Sequence, residues 1–556
     1  MMDILTFFSI IFKSFLVTPI FNIKLNFNGP KVTRNNILIY TDQYDKDFKD
    51  WEYTISLLKV WFLPELILGF SILVLITYVT YILIIKKKPK HTDVIYITKQ
   101  VLRLFYVLSS LTILLAWLLA NSKKAIFFKN FLLFNFFTLS IKAVISILSI
   151  FIIYLIKIWY MRHRQNIIEI YILFLGSIFF SFFLVSSTNL FFTYLSLEGI
   201  SMQSYTLAIF SFTEVSIDIV LKYFLLGSLA SGILLYGISL IYGVFNTLDY
   251  ISIKNILLSY TSNESLPIVS KLGILLLFLG LLFKVGAYPM HVWVPGVYRN
   301  SPTPITIFFA TIIKFIMTLL VLRLFYVVFD SSLDFLKIFF LISAVGSMVV
   351  GALGAFKELK VKNFISYTAI NQAGFIMLGL CCQTTLGIYY ALYYLFIYIL
   401  LTIGFLSLIL NLFQSLTRKP IRFFKDLKYF CKNNTSASLV LSAFILSFAG
   451  LPPFAGFFGK LYMYFAIAQA KMFILLLITL LLNIISLYYY IRIIKSLWFE
   501  NLIDFDKKTL VFRLTTVLPI KFLIFIITLL NIFFLYFLEN YDIFINNLFS
   551  SMLLIN

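Results

Sequence analysis

Apolar runs of about twenty residues or more recur along most of this chain, and no other feature constrains its fold as strongly. A helix rises 1.5 Å per residue, so a run of that length matches the ~30 Å hydrocarbon core of a bilayer. Read with a window of about 19 residues, the runs fall at 60–85, 101–120, 133–158, 167–186, 188–210, 218–243, 268–289, 303–328, 335–355, 363–381, 386–412, 438–468, 472–496 and 514–537. They predict about 14 transmembrane helices. Every backbone N–H and C=O in hydrocarbon needs an internal partner, and the runs are too long for barrel strands of about 9–11 residues. The expected fold class is an all-α polytopic membrane protein. A shorter apolar stretch at 4–20 precedes a polar segment at 21–52, and a weakly polar tail ends the chain.

Composition agrees: 61% of residues are hydrophobic and 12% are charged, against roughly 45–50% and about 25% in soluble domains. An ordinary soluble enzyme, a disordered tail and a fibrous protein are excluded. The 45 Lys+Arg exceed the 23 Asp+Glu, for a net charge of +22. In a soluble protein that surplus would point to nucleic acid. Here the cations sit mostly in short loops, so no nucleic-acid partner is expected and the charge sets orientation instead. The basic connections carry Lys86 to His91, Arg162 and Arg164, Lys357, Lys360 and Lys362, and the cluster at 418–432; all are odd-numbered and share one face. The loop with Lys123, Lys124 and Lys129 dissents. The majority faces the cytoplasm-equivalent side, the matrix in a mitochondrion. The 64 Phe and 34 Tyr fit AT-rich coding of the kind common in organellar genomes. The basic cluster at 418–432 is also a place where anionic phospholipids or a partner subunit could dock. The apolar start lacks a basic n-region, so no cleavable signal is expected.

Neither the cysteines (Cys381, Cys382, Cys431) nor the histidines (His91, His163, His291) show the spacing of a zinc, haem or iron–sulfur site. No cofactor and no metal is expected on this chain. Two runs are interrupted by Gly and Pro. One ends in FKVGAYPMHVW, with Gly286 and Pro289; the other contains AGLPPFAGFFGK, with Pro452 and Pro453. They are the seventh and twelfth runs. Two broken helices at matching places in two five-helix halves form the sequence signature of an inverted-repeat transporter. A single Gly/Pro kink would carry no such meaning.

Charges inside the runs sharpen this reading. A Lys or Glu at the bilayer centre costs about 2.5–3.5 kcal/mol on insertion scales. Five such residues stand out: Glu198 in the fifth run, Lys222 in the sixth, Lys284 beside the first break, Lys314 at mid-run in the eighth, and Lys460 beside the second break. Four of them have a plainer explanation, and Lys314, with about ten apolar residues on either side, has little room to snorkel. Lys222 could snorkel, Lys284 and Lys460 could rest statically on freed carbonyls, and Glu198 could be a mere counter-ion. Together they form one acid and four amines in successive or matched helices. Burial disfavours a charged amine, and a neighbouring carboxylate restores it. A row of such amines bridged by water makes a proton wire. A metal-cation path would favour carboxylate and carbonyl oxygens instead. His291, after Pro289, is a candidate link from the broken helix to the aqueous side.

The stretch FKVGAYPMHVWVPGVYRNSPTPITIFFATIIKF (Phe283–Phe315) resembles the proton-conducting membrane subunits of NADH:quinone oxidoreductase, respiratory complex I. Its form P-x-H-x-W-x-P-x-x-Y-x-x-x-P-T-P is most similar to the chain 2 branch, whose bacterial counterpart is subunit N. NLFFTYLSLEGISMQSY, KVKNFISYTAINQAGFIMLG, AGLPPFAGFFGKLY and LYYYIRIIK resemble further segments of that branch, in order, over about residues 60–540. The resemblance implies an antiporter-like, fourteen-helix subunit of the membrane arm, multi-pass in the mitochondrial inner membrane. It implies proton translocation coupled to electron transfer from NADH to ubiquinone, with NADH, FMN, iron–sulfur clusters and ubiquinone bound by other complex I subunits. It also implies that Glu198 pairs with Lys222, with Lys284, Lys314 and Lys460 completing the proton path. Gly296 and Arg299 depart from the family, which usually has an acid at the first position and an acidic or amide side chain at the second. The implied division is an N-terminal extension at 1–58, three helices at 59–166, antiporter-like halves at 167–330 and 331–500, and a last helix and tail at 501–556. An Mrp-type cation/proton antiporter subunit shares the fold and most of the lysines. A non-pumping scaffold of the membrane arm would have no need to keep them.

Overall fold

The computed structural model describes residues 61–86, 91–119, 125–127, 131–163, 167–210, 214–263, 266–330, 333–414, 423–424, 434–499, 512–514 and 518–553. The apolar stretch 4–20 and the extension 1–58 lie outside the described residues. So do Lys123, Lys124, Lys129, Arg164, Cys431 and the basic loop 418–432 apart from Phe423 and Phe424.

Helices follow the apolar runs closely. In chain order they are α1 (Leu63–Lys86), α2 (His91–Leu119), α3 (Phe136–His163), α4 (Glu169–Ser186), α5 (Leu190–Ile209), α6 (Glu214–Phe245), α7 (Tyr250–Asn263), α8 (Ile268–Val285) and α9 (Trp293–Asn300). Then come α10 (Thr303–Val328), α11 (Leu333–Lys357), α12 (Val361–Cys382), α13 (Thr385–Asn411), α14 (Thr435–Ala449), α15 (Ala455–Gln469), α16 (Phe473–Trp498), α17 (Leu518–Ile532) and α18 (Phe534–Leu553). Two antiparallel ribbons complete the described residues: β1 (Ala125–Phe127) with β2 (Leu132–Phe134), and β3 (Leu412–Gln414) with β4 (Phe512–Leu514). Each strand is 3 residues long, so the architecture is helical.

Among the described residues 11 helices are long and apolar enough to cross a membrane, or up to 12 if the bent pair α17–α18 is one span. The expected fourteen is therefore not reached on length and composition alone. The runs that fall short do so for different physical reasons. α5 has 20 residues, but Thr193, Ser196, Glu198, Ser201, Gln203 and Ser204 dilute its apolar character. The run at 438–468 is split into α14 and α15, of 15 residues each. A 15-residue helix is about 22 Å long, short of the ~30 Å core.

The packing has a buried centre and an apolar rim. The core window of α10 is 100% buried, whereas that of α16 is 28% buried. α10 has no polar stripe apart from Lys314, Arg323 and small hydroxyls, so any face it showed would be apolar; α12 and α13, also largely buried, enclose it. On the rim, Leu73, Ile84, Leu225, Leu481 and Ile484 are exposed. Such side chains suit acyl chains and not water. The chain is multi-pass in a membrane.

α8 and α14 both end by the same device. Gly286 adopts φ 74° and Gly450 φ 81°, a left-handed geometry that glycine enters without penalty. The Gly286 N–H donates to the carbonyls of Leu282 (2.9 Å) and Phe283 (3.1 Å), and Ala287 N–H to Leu282 (3.1 Å). The Gly450 N–H donates to Leu446 (3.1 Å) and Ser447 (3.0 Å), and Leu451 N–H to Leu446 (3.2 Å). The chain resumes as α9 and α15.

Candidate functional site

Glu198 is held by α5, whose first turn is capped by the Asn189 side chain accepting from Phe191 N–H at 2.9 Å. Midway along, Glu198 Oε1 lies 3.2 Å from Lys284 Nζ. Ser201 Oγ is 3.3 Å from Glu198 Oε2. The Lys284 side chain is 6% exposed and that of Glu198 21%, so the amine is enclosed and the acid retains an outlet. Lys284 sits two residues before Gly286, in the last turn of α8, where the negative end of the helix dipole also favours a cation. The freed Phe283 carbonyl accepts from Trp293 Nε1 at 2.8 Å. Trp293 stacks on Tyr223, with centroids 4.6 Å apart and planes at 21°.

Lys222 is elsewhere. It is exposed on α6, and the structure pairs Glu198 with Lys284 instead of Lys222. The cause is helix register. One residue turns a helix by about 100°, and the inward position at this level belongs to Tyr223. Tyr223 stacks on Trp293 and meets Tyr205 edge-on at 4.7 Å. Its hydroxyl lies 3.5 Å from Ser204 Oγ. Ser204 is about 9 Å along α5 from Glu198 at 1.5 Å per residue, which leaves Lys222 away from the carboxylate.

Lys314 lies in the buried centre of α10, directly after a π-helical turn at Phe309–Ile313. Such single turns widen a helix and recur at functional positions. Its Nζ donates to the Ala369 carbonyl of α12 and stands 5.6 Å from the Tyr398 ring. Lys460, on α15, reaches back across the second break. Its Nζ donates to the carbonyls of Phe448 (2.8 Å) and Ala449 (3.1 Å) and to Asn483 Oδ1 (2.8 Å). The Phe375 ring lies 5.3 Å away. His291 is half-buried in the turn between α8 and α9, its ring 5.8 Å from that of Tyr288.

The three enclosed amines thus sit in three environments: one anion, one neutral carbonyl with a ring, and three neutral oxygens. All can hold a proton, and none has the oxygen cage of a hard-metal site. Among the described residues no group of three or more His, Cys, Asp or Glu is placed to hold a metal.

Sequence reasoning passed over a second ion pair. Lys142 of α3 donates to Glu65 of α1, both side chains being fully buried, and the Phe134 ring lies 4.2 Å from the amine. Arg323, also buried, donates from Nη1 to the Val185 carbonyl at 2.8 Å, at the end of α4. The signal was present: each is an ionisable residue within or at the edge of an apolar run, where the insertion penalty that singled out Lys314 applies equally. Asn483 was missed as well, because an amide carries too small a penalty to stand out.

The family described as NADH:quinone oxidoreductase/Mrp antiporter, transmembrane region, matches residues 187–486. That range contains all six candidate residues and excludes Glu65 and Lys142. NADH-quinone oxidoreductase subunit N of Paramagnetospirillum magneticum is 34% identical over 350 residues, covering 61% of this chain and 71% of the relative. NADH-ubiquinone oxidoreductase chain 2 of Marchantia polymorpha is 34% identical over 349 residues, covering 62% and 70%. Among solved structures, a chain of respiratory complex I from Thermus thermophilus aligns with a TM-score of 0.69 at 23% identity, over 86% of this chain and 97% of its own. A chain of the Mrp complex of a Dietzia species aligns at 0.70 and 16%, over 88% and 99%. The fold is common to both assemblies.

Proposed function

Since this chain belongs to the membrane family shared by NADH:quinone oxidoreductases and Mrp antiporters, we propose that it is a proton-translocating subunit of the membrane arm of respiratory complex I. It works there beside the other membrane-arm subunits. Electron transfer from NADH to ubiquinone, on cofactors carried by other subunits, supplies the driving force. Sequence relatives at 34% identity, named as subunit N and chain 2 of that complex, support the complex I reading over the Mrp one. The chain 2 relative of Marchantia polymorpha and the Phe- and Tyr-rich composition support a mitochondrial inner membrane. The matched glycine-ended helices α8 and α14 support two inverted five-helix halves.

The observation that carries the mechanism is the Glu198–Lys284 pair at the end of a broken helix. While Glu198 faces Lys284, the amine keeps its proton. A movement of α5, or neutralisation of the half-buried acid, removes the anion paired with it among the described residues, and the ammonium can then pass its proton on. The proton passes by water to Lys314, which has one neutral acceptor, and on to Lys460, whose three oxygens solvate an ammonium well. Lys222 and His291, nearer the surface, exchange protons between this row and the outside.

The test uses the intact assembly in vesicles. Lys314→Met should assemble and oxidise NADH while the number of protons moved per NADH falls. Unchanged coupling would sink the role of the wire. Purification with cation-transport partners and no redox subunits would move the chain to the Mrp class.

A further inference from the structure

A second site lies at the far side of the molecule from the Glu198–Lys284 pair in sequence, where α13, α15 and α18 meet. A cavity of about 350 Å³ opens there, walled by Tyr389, Tyr390, Tyr462, Asp542, Asn546 and Phe549. Pockets that take small molecules run from about 300 to 1,000 Å³, so it is large enough for a headgroup and too small for a protein element. We propose that this pocket binds a zwitterionic phospholipid, with the lipid's ammonium group held among the tyrosines and Asp542.

The wall has the composition of a cation receptor. Tyr390 and Tyr462 stack with centroids 5.2 Å apart and planes at 9°. Tyr389 meets Tyr390 nearly edge-on at 5.2 Å and 69°. Phe549 closes against Tyr389 at 6.1 Å. Aromatic faces attract ammonium groups within about 6 Å of the ring centroid. Asp542 is the one charged side chain in that wall, and among the described residues it takes part in no ion pair. Its backbone carbonyl accepts from Tyr389 Oη at 3.3 Å, which ties the cage to α18. A carboxylate beside three phenol rings repels a bare phosphate and attracts a cation. The Asn546 amide supplies a donor for the phosphate that accompanies a lipid ammonium.

Depth favours a lipid over a soluble amine. Tyr389 and Tyr390 lie in the second turn of α13, counted from its first residue Thr385. Tyr462 lies about 10 Å from the end of α15 at 1.5 Å per residue. The start of a spanning helix such as α13 lies near the headgroup level, where tyrosines of membrane proteins concentrate. α18 leaves α17 at 99°, a direction that runs along a bilayer surface when α17 crosses it. Leu386, 41% exposed at the rim, faces where an acyl chain would begin. In the loop-charge pattern this end of α13 is opposite the basic connections.

The test is photo-crosslinking in the intact, delipidated assembly with photoreactive phosphatidylcholine, phosphatidylethanolamine and phosphatidylglycerol of matched acyl chains. Peptides containing Tyr389–Tyr390 or Asp542–Phe549 should be labelled by the choline and ethanolamine lipids and at least about fivefold less by the glycerol lipid. Asp542→Asn should lower the labelling by a similar factor, and Tyr390→Leu should do the same if the first variant does not assemble. Tetramethylammonium should compete if the ammonium alone is read. Equal labelling by phosphatidylglycerol, labelling indifferent to both substitutions, or occupation of the pocket by a cross-linked protein lysine would overturn the proposal. Proton pumping does not enter the readout, so the outcome is independent of the function proposed above.

Discussion

The two broken helices are alike in backbone and unlike in electrostatics. α8 and α14 each finish on a left-handed glycine that donates to carbonyls three and four residues back, bond for bond. Beyond that shared frame the loose carbonyls are treated differently. At the first break a neutral indole, Trp293, takes the Phe283 carbonyl, while the lysine lies within the ending helix and is met by Glu198. At the second, Lys460 arrives from the following helix and itself takes the carbonyls of Phe448 and Ala449. Ten residues beyond Gly450 is Lys460; ten beyond Gly286 is Gly296, which has no side chain to offer. The comparison teaches that a broken helix can stabilise a buried ammonium in two ways. One needs a partner's negative charge and is switchable; the other uses fixed dipoles and is not.

The largest effect is expected where one amine satisfies most acceptors. Lys460→Met leaves the carbonyls of Phe448 and Ala449 without that donor, while the Asn483 oxygen keeps the Ser486 hydroxyl at 3.0 Å. Each buried unmet group costs about 1–3 kcal/mol, so thermal unfolding of the assembly should move down by several degrees and coupled pumping should be lost. Pumping lost at an unchanged melting temperature would mean that water replaces the amine, and that the fixed-dipole account is wrong. Next comes Glu198→Gln. Breaking a buried pair from one side costs about 3–5 kcal/mol, less here because the acid is partly exposed. The rate of proton transfer through this subunit should fall roughly tenfold, equivalent to about 1.4 kcal/mol, with assembly intact. If Glu198→Gln and Lys460→Met unfold and uncouple alike, the distinction between a switchable and a fixed site fails. Asn483→Ala removes one of three neutral oxygens, and a loss of about two- to fourfold in pumping is expected, since one hydrogen bond to a charge is worth about 1.5–3 kcal/mol before water compensates.

How much of this could be read in advance follows from the size of each energy term. Lys284, Lys314, Lys460 and Glu198 were legible because each violates an apolar run at a penalty of kilocalories. The breaks were legible because Gly and Pro cluster at them. Pairing was not. Whether Glu198 meets Lys222 or Lys284 depends on how Tyr223, Tyr205 and Trp293 interlock, and an aromatic stack leaves no periodic mark on the sequence. Glu65 lies near the end of its run, where ionisable residues usually reach water, and Lys142 nine residues into the run at 133–158; that the two meet, enclosed by Phe134 and Phe182, is a result of tertiary packing. That the run at 438–468 divides into two helices of 15 residues each was not legible either: a hydropathy window bridges the gap between α14 and α15, and the backbone does not.

The smallest expected effect isolates the indole. Trp293→Phe keeps an aromatic ring against Tyr223 but removes the N–H that the Phe283 carbonyl accepts. One neutral hydrogen bond contributes about 0.5–1.5 kcal/mol, so the melting temperature should fall by only a degree or two in an assembly of this size. That carbonyl, left with the Gly286 N–H alone at 3.1 Å, belongs to the residue next to Lys284, and its vacated lone pair would become a second acceptor for that ammonium. The amine would then depend less on Glu198. The double variant Trp293→Phe with Glu198→Gln should therefore pump better than Glu198→Gln alone, by a factor of about two to five if one carbonyl bond offsets part of the missing charge. Strict additivity of the two losses would show that the carbonyl cannot turn to the amine, and that the first break differs from the second in backbone geometry as well as in what caps it.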